Sequence, residues 1–234
     1  MSFWDDRREE LRQLLIARPI ETFMSWTPIQ WTMNTGNPDW LINEYTALKK
    51  DKKWLNILKT YEEHPWAKDV ERFPETNVTG NTIHHMYHFM VLEQSKKVSL
   101  ENLNTIFEFG GGFGSASRIA QFVGFQGKYY IYDFPELSII AKHYHDNECI
   151  FRVGLVSDVK DINFDLLVGT WSITESNPIL RNKIMRMNYS HALIAFSKEF
   201  DGMNNLQYMQ NLANHSNGFV LPIPWLPNNF YYLK

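Results

Sequence analysis

Gly110, Gly111, Gly112 and Gly114 fall within five residues, and a carboxylate, Glu108, stands two residues ahead of them. A turn this bare lets a ligand approach the backbone, and the N-terminus of the helix that follows faces it. Nicotinamide enzymes, flavoproteins and methyl carriers all use such turns, so the glycines alone decide little. The carboxylate decides more. At the end of a strand, Glu108 can answer the ammonium of S-adenosylmethionine, directly or through water, whereas it would repel the pyrophosphate of a dinucleotide. The spacing agrees, because GxGxG is met by Gly110, Gly112 and Gly114, while the dinucleotide pattern GxGxxG places Ser115 at its third glycine. A second acid, Asp133, comes nineteen residues past Gly114. A carboxylate there accepts hydrogen bonds from both hydroxyls of a ribose; ahead of Pro135 it also suits a helix cap.

Were the ligand a methyl donor and its acceptor a hydroxyl, the proton would need a place to go, and a base titrating near neutrality points to histidine. The densest cluster is Asn81-Thr82-Ile83-His84-His85-Met86-Tyr87-His88. On a helix His84 and His88 share a face, and His85 lies about 100° around. Three readings compete: a general base, with His85 or His88 as the candidates; a packing or capping role; and a metal site, for which zinc wants further ligands that the sequence does not place nearby. Glu175 is a second catalytic candidate, either orienting an acceptor hydroxyl or capping the next helix. A divalent metal, if used, would draw on Glu175, Glu199 and Asp201; the simpler expectation is no metal. His143 and His145 belong to the helix after Asp133 and are expected away from the reaction. Trp26, Trp31 and Trp40 suit either stacking on a sugar face or helix docking.

The elements that must hold these groups change character near Leu100. Before it, apolar residues recur at helical spacing over 5–18, 38–59 and 83–95, with loops near Pro65, Pro74 and Gly80. After it, strand and helix alternate: strand 105–109, helix 115–123, strand 129–132, helix 135–145, strand 149–153, strand 164–168, a helical stretch 182–188, strand 191–196, helix 205–214, and strands 218–223 and 229–233. Alternation of this kind implies an α/β fold with a Rossmann-like, doubly wound, mostly parallel sheet. The expected division is a helical cap over residues 1–100, covering the cofactor cleft and shaping the acceptor pocket, and a sheet domain over 101–234.

Composition bounds the partners. With Lys+Arg at 23 against Asp+Glu at 26 there is no basic field, which disfavours nucleic acid. The single cysteine, Cys149, excludes an intrachain disulfide and fits a reducing compartment. The charged start, Met1 to Arg8, and the lack of a long apolar run lead to a soluble, cytoplasmic protein without a membrane span. Exposed aromatics in the N-terminal helices make a homodimer plausible.

The segments EFGGGFG (108–114), YDFPEL (132–137) and FDLLVGTWSITE (164–175) resemble, in order and spacing, the bacterial sugar O-methyltransferases, over roughly residues 75–234. The resemblance implies a class I methyltransferase fold, S-adenosylmethionine as methyl donor, and a small-molecule sugar, sugar nucleotide or glycan hydroxyl as acceptor in surface glycan biosynthesis. Carried over by position, Glu108, Gly110, Gly112 and Gly114 line the methionine end, Asp133 the ribose and Phe134 one face of the adenine, while Asp158 reaches the adenine amine. Gly169 and Thr170 face the sulfonium, and His84, Trp171 and Ser172 lie toward the acceptor. In similar proteins an amide side chain often precedes the Ser/Glu pair, whereas this chain has Gly169 and Thr170, which leaves acceptor geometry open. Two rivals stand beside this reading: a non-catalytic cofactor-binding scaffold, and a methyltransferase of another small acceptor such as a phosphoramidate, amine or phenol.

Overall fold

The alternation after residue 104 builds one seven-stranded sheet. In the computed structural model, which describes residues 3–146, 153–155 and 163–234, the strands are β1 (Thr105–Phe109), β2 (Lys128–Tyr132), β3 (Val153–Leu155), β4 (Phe164–Thr170), β5 (Tyr189–Ser197), β6 (Phe219–Pro222) and β7 (Asn229–Leu233). Their spatial order is 3-2-1-4-5-7-6. The first five run parallel, and β7 is antiparallel to both β5 and β6. An order of 3-2-1-4-5 is Rossmann-like and reverses direction at β1, between β2 and β4; ligands of open sheets bind beyond the carboxyl ends of strands at that point. Residues 106–109 of β1 are all buried, as in a parallel strand covered on both faces, and Glu108 is the one charged side chain among them.

Contacts group the chain into two units. The sheet unit comprises Val91–Gly111, Val123–Asp133 and Arg152–Lys234. On one face of its sheet Phe107, Phe109, Leu167, Ile194, Phe196 and Tyr232 pack with Ile173 of α8 (Ser172–Glu175), Ile184 of α9 (Pro178–Met185) and Met209 of α10 (Asn205–Ser216). The helical unit comprises Met1–Met90, Gly112–Phe122 and Phe134–Phe151. It holds α1 (Phe3–Ala17), α2 (Thr27–Thr32), α3 (Leu41–Lys50), α4 (Lys52–Thr60), the greater part of α5 (Gly80–Lys96), α6 (Ser115–Phe122) and α7 (Pro135–Asp146). Its core joins Leu11 of α1, Phe23, Trp26 and Ile29 to Phe113 and to Leu137, Ile140 and Tyr144 of α7.

Two local differences from the sequence expectation have physical reasons. The helix expected over 38–59 is two helices, because Asp51 adopts an extended conformation (φ −94°, ψ 123°) and its carboxylate accepts the backbone N–H of Trp54 at 3.1 Å, a cap that starts α4 afresh. A 3-10 turn (Ile20–Ser25) and α2 occupy a stretch too short and proline-broken for periodicity to register. The two units interleave along the chain. The expected strand 149–153 overlaps β3 only at Val153; Cys149 and Asp158 lie outside the described residues. Among the described residues no helix is long and apolar enough to cross a membrane.

Candidate active site

Within the sheet unit, the register brings the ends of β1 and β2 level, with Phe109 opposite Tyr132. The backbone N–H of Gly110 donates to the carbonyl of Tyr132 at 2.8 Å, and Gly110 turns with φ +70°, a conformation L residues rarely adopt. Space also demands glycine here: a Cβ at Gly110 would collide with Cβ of Ser172, and one at Gly111 would lie 2.6 Å from Oε2 of Glu108 and 2.9 Å from Cγ2 of Ile131. The Glu108 carboxylate thus lies directly beneath the bare Cα of Gly111. It is only 2% exposed and accepts a hydrogen bond from the Tyr129 hydroxyl at 3.0 Å. Burial pushes Glu108 up to about 7, against the pull of the Tyr129 bond and with a further push from the charge on Asp133. Tyr129 in turn is driven well above its ordinary range by burial and by Glu108. Asp133 is half-buried at the end of β2.

β4 ends beside this turn. Ser172 donates to the carbonyl of Phe109, which ties α8 to β1. Trp171 takes φ +64°, a strained conformation for a bulky residue, and three bonds hold its surroundings: its N–H to Ala195 O at 2.6 Å, its indole N–H to Asn229 Oδ1 at 2.8 Å, and Ser197 Oγ to the same Oδ1 at 3.1 Å. Gly169 is buried, its missing Cβ replaced by Ile173, and Thr170 is half-buried at the strand end. Glu175 is half-buried at the last position of α8. It does not cap the next helix; Asn177 does, accepting from the N–H of Leu180 at 2.9 Å. Glu175, Glu199 and Asp201 do not gather as a ligand set, and among the described residues no group of three His, Cys, Asp or Glu side chains is placed to hold a metal.

The helical unit carries the second half of the turn. Gly112 and Gly114 have φ +58° and +89°, and Sδ of Met33 lies 2.9 Å from where a Cβ of Gly112 would be. Ser115 opens α6, and its Oγ accepts from Nδ2 of Asn81 at 3.1 Å. Ser117 Oγ bonds the carbonyl of Gly114 at 2.8 Å and Nε2 of His145 at 3.2 Å. His145 is therefore tied to the turn through one serine. Phe134 already carries the Arg8 guanidinium 4.8 Å from its ring centre and Trp4 at 5.9 Å, so an adenine would share this ring with α1.

Face and burial decide what the histidine cluster can do. Asn81, His84, His85 and His88 follow i, i+3, i+4, i+7 along α5 and so share one side of it. His84 meets Glu44 of α3 and His88, and Trp40 packs edge-on to it with ring centres 5.1 Å apart. Burial, then the charge of His84, lowers His85 to about 3 and His88 well below the ordinary value. A pocket of about 400 Å³, counting solvent at its mouth, lies in this unit; Met24, Ile29, Tyr61, Phe113 and Tyr144 form its apolar wall, and Asn34, Glu63, Thr79, Asn81, Thr82 and Ser115 its polar lining. Sequence reasoning singled out neither Tyr129 nor Glu44. For Tyr129 no signal existed, but Glu44 sits on the apolar stripe Leu41, Tyr45, Leu48 of α3, where a carboxylate demands a buried partner.

The chain is thus a Rossmann-like α/β protein with a glycine turn after β1 and acids at the ends of β1 and β2. No family model matches it, and no curated protein does. Among solved structures it is similar to a SAM-dependent methyltransferase from Aquifex aeolicus, at 15% identity over 62% of this chain and 92% of that one, TM-score 0.42. It is also similar to an O-methyltransferase family protein from Burkholderia thailandensis, at 10% identity over 83% and 70%, TM-score 0.46. A third is an SAH-bound methyltransferase from Podospora anserina, at 11% identity over 88% and 91%, TM-score 0.47.

Proposed function

We propose that this protein is an S-adenosylmethionine-dependent methyltransferase acting on a hydroxyl of a sugar or sugar conjugate, in the cytoplasm, as a step of surface polysaccharide assembly. The observation that carries the reading is Glu108: a buried carboxylate raised to about 7, at the end of β1, where the strand order reverses, directly under a bare glycine backbone. A buried acid raised this far is stabilised by a cation, and the ammonium of the donor supplies one. A pyrophosphate at this place would meet repulsion instead.

Glu108 and the contiguous turn Gly110 to Gly114 hold the methionine end, Asp133 takes the ribose hydroxyls, and Phe134 offers the adenine the part of its ring that Arg8 and Trp4 leave uncovered. When bound, the sulfonium supplies an electrophilic methyl carbon whose bond electrons return to sulfur as the acceptor oxygen attacks. The protein's task is to align acceptor and donor, exclude water and take the hydroxyl proton. Gly169 and Thr170 line the end of β4, and Trp171, pinned by Asn229, walls the acceptor side with Ser172. The sugar acceptor rests on the resemblance of segments 108–114, 132–137 and 164–175.

Calorimetry tests the donor: S-adenosylmethionine and its demethylated product are expected to bind in the micromolar range and NAD not at all. A labelled-methyl screen of nucleotide sugars and glycan fragments, set beside phenols, amines and phosphoramidates, tests the acceptor. Binding of NAD alone ends the methyltransferase reading; transfer only to a non-sugar acceptor ends the sugar assignment.

A further inference from the structure

Arg181 of α9 is 7% exposed, and a guanidinium does not shed its proton in a protein, so a full positive charge is buried with it. A charge in that position demands an anion, because leaving it unpaired in the interior is strongly destabilising. Among the described residues the fold supplies none. Nη1 donates to Oδ1 of Asn205 at 3.0 Å, Nη2 lies 3.7 Å from the thioether sulfur of Met203, and the guanidinium rests 4.2 Å from the ring centre of Tyr208. Nε is buried and has no acceptor. An amide oxygen, a sulfur and an aromatic face soften a positive charge without cancelling it. Glu199 and Asp201, the acids of the hairpin 199–204 that carries Met203, are exposed. A second cation adds to the field: burial raises Tyr208, while the charges of Arg181 and then Arg186 pull it down.

We infer that Arg181 is the seat of an oxyanion, and that this oxyanion is the phosphate of a phosphorylated sugar acceptor. The inference rests on the methyltransferase reading above and deepens it, because it narrows the acceptor from any sugar hydroxyl to a sugar phosphate or sugar nucleotide. Placement within the sheet unit supports it. Asn205, itself 0% exposed, accepts from Arg181 and donates through Nδ2 to the carbonyl of Ser197 at 3.2 Å. Ser197 ends β5, and its Oγ donates to the same Asn229 oxygen that receives the indole N–H of Trp171. One chain of hydrogen bonds thus runs from the guanidinium, past the carboxyl end of β5, to the tryptophan that the reading above sets on the acceptor side. Ligands of open parallel sheets lie beyond such strand ends. The planar fork of N–H donors matches the oxygens of a phosphate two by two, whereas neutral hydroxyls leave the charge uncancelled. Met203 is the partner that yields: its sulfur is a weak acceptor on a flexible stem, and it follows the exposed turn at Asp201 and Gly202, with φ +47° and +74°. No covalent bond changes here; the phosphate displaces a sulfur, and Arg181 holds the acceptor by charge.

Inorganic phosphate probes the seat directly, in the full chain without cofactor. In chloride buffer, nitrogen-15 NMR should show the Nε–H resonance of Arg181 moving saturably as phosphate is added, with sodium chloride at equal ionic strength leaving it in place. The melting temperature should rise with phosphate in the wild type and not in Arg181→Met. Arg181→Lys keeps a charge but not the fork, and should bind phosphate about tenfold more weakly. An Nε–H that ignores phosphate, or a phosphate response that survives Arg181→Met, overturns the site. Should Arg181→Met not fold, the wild-type spectrum and Arg181→Lys decide, and equal phosphate affinity in Arg181→Lys overturns the site as well. For the acceptor role, labelled methyl should pass to glucose 1-phosphate or a nucleoside diphosphate sugar in preference to the matching free sugar. With the acceptor so found, Arg181→Lys should raise its KM about tenfold, the loss lying in KM rather than in kcat. Equal transfer to free sugars, or an unchanged KM, overturns the acceptor assignment. Failure of the wild type to bind S-adenosylmethionine overturns the methyltransferase reading instead and leaves the phosphate result standing.

Discussion

Glu108 is the side chain whose energetics matter most. Its native value of about 7 lies above the 4.5 of an exposed glutamate, so between those values the folded protein keeps a proton that the unfolded chain has lost. The stabilisation is complete below 4.5 and gone once the pH has risen through 7. About 2.5 pH units at 1.36 kcal/mol each amount to about 3 kcal/mol. Glu108→Gln removes this term. Urea unfolding at pH 4 and pH 8 should show the variant gaining about 3 kcal/mol on the wild type between the two, and an unchanged difference would mean that 108 is solvated. The same burial makes a pH prediction for the proposed cation site: ionised Glu108 favours a positive ligand, so affinity for S-adenosylmethionine should rise about fivefold between pH 6 and 7 and about twofold more by pH 8. Calorimetry at pH 6, 7 and 8 that gives a flat affinity rules this out. A third residue test concerns space. Gly110→Ala places a methyl group against Ser172 in a left-handed turn and should cost at least about 1–3 kcal/mol. Added to a Ser172→Gly background, which already lacks the Ser172–Phe109 hydrogen bond, Gly110→Ala should cost only about 1 kcal/mol of backbone strain, the steric share being relieved. No recovery in the double variant would show that the clash is not with Ser172.

At the scale of elements, helix α5 and strand β4 carry the candidate chemistry on regular structure. Asn81 joins the start of α5 to the start of α6, donating to Ser115 and accepting from Thr35 at 3.3 Å. Asn81→Ala should cost only about 1 kcal/mol of stability yet weaken cofactor binding by more than that cost implies, because it frees the helix side of the turn; thermal melts and calorimetry compared on one sample separate the two effects. Much at this scale was legible beforehand. The shift from helical periodicity to strand and helix alternation near Leu100, the glycine turn after β1 and Asp133 at the end of β2 are all local patterns, and local patterns survive folding. What escaped was non-local or too short to repeat: the Asp51 break is one residue's cap, the 20–32 region is broken by Pro19 and Pro28, and the pairs Glu44–His84, Glu108–Tyr129 and Trp171–Asn229 join residues 40, 21 and 58 positions apart. Periodicity places Glu44 on a buried stripe but does not name its partner. The positive φ of Trp171 left no mark in composition, since nothing about tryptophan announces it.

For the whole molecule, buried histidines set the acid limit. Burial first, then neighbouring positive charge, lowers His85 to about 3, His88 well below its ordinary value and His145 to about 4. Their native values lie below the 6.5 of the unfolded chain, so as the pH falls beneath 6.5 the unfolded chain takes protons that the fold refuses. Each such histidine costs about 1.4 kcal/mol per pH unit, and Glu108 opposes with one proton down to 4.5. The net slope is about 3 kcal/mol per unit between 6.5 and 4.5. Chemical unfolding at pH 7, 6 and 5 should show this steep loss, and constant stability over that range contradicts the burial of the three rings.

The interleaved connectivity also governs how the polypeptide is made. The core around Leu11, Phe23 and Trp26 is completed by Phe113, Leu137, Ile140 and Tyr144, so a nascent chain leaving the ribosome must hold its first ninety residues unfinished until some fifty more have emerged, several seconds at ordinary translation speeds of roughly 5–20 residues per second. For evolution the same wiring means that neither part travels alone: a gene fusion or recombination breakpoint near codon 100 would strand both halves.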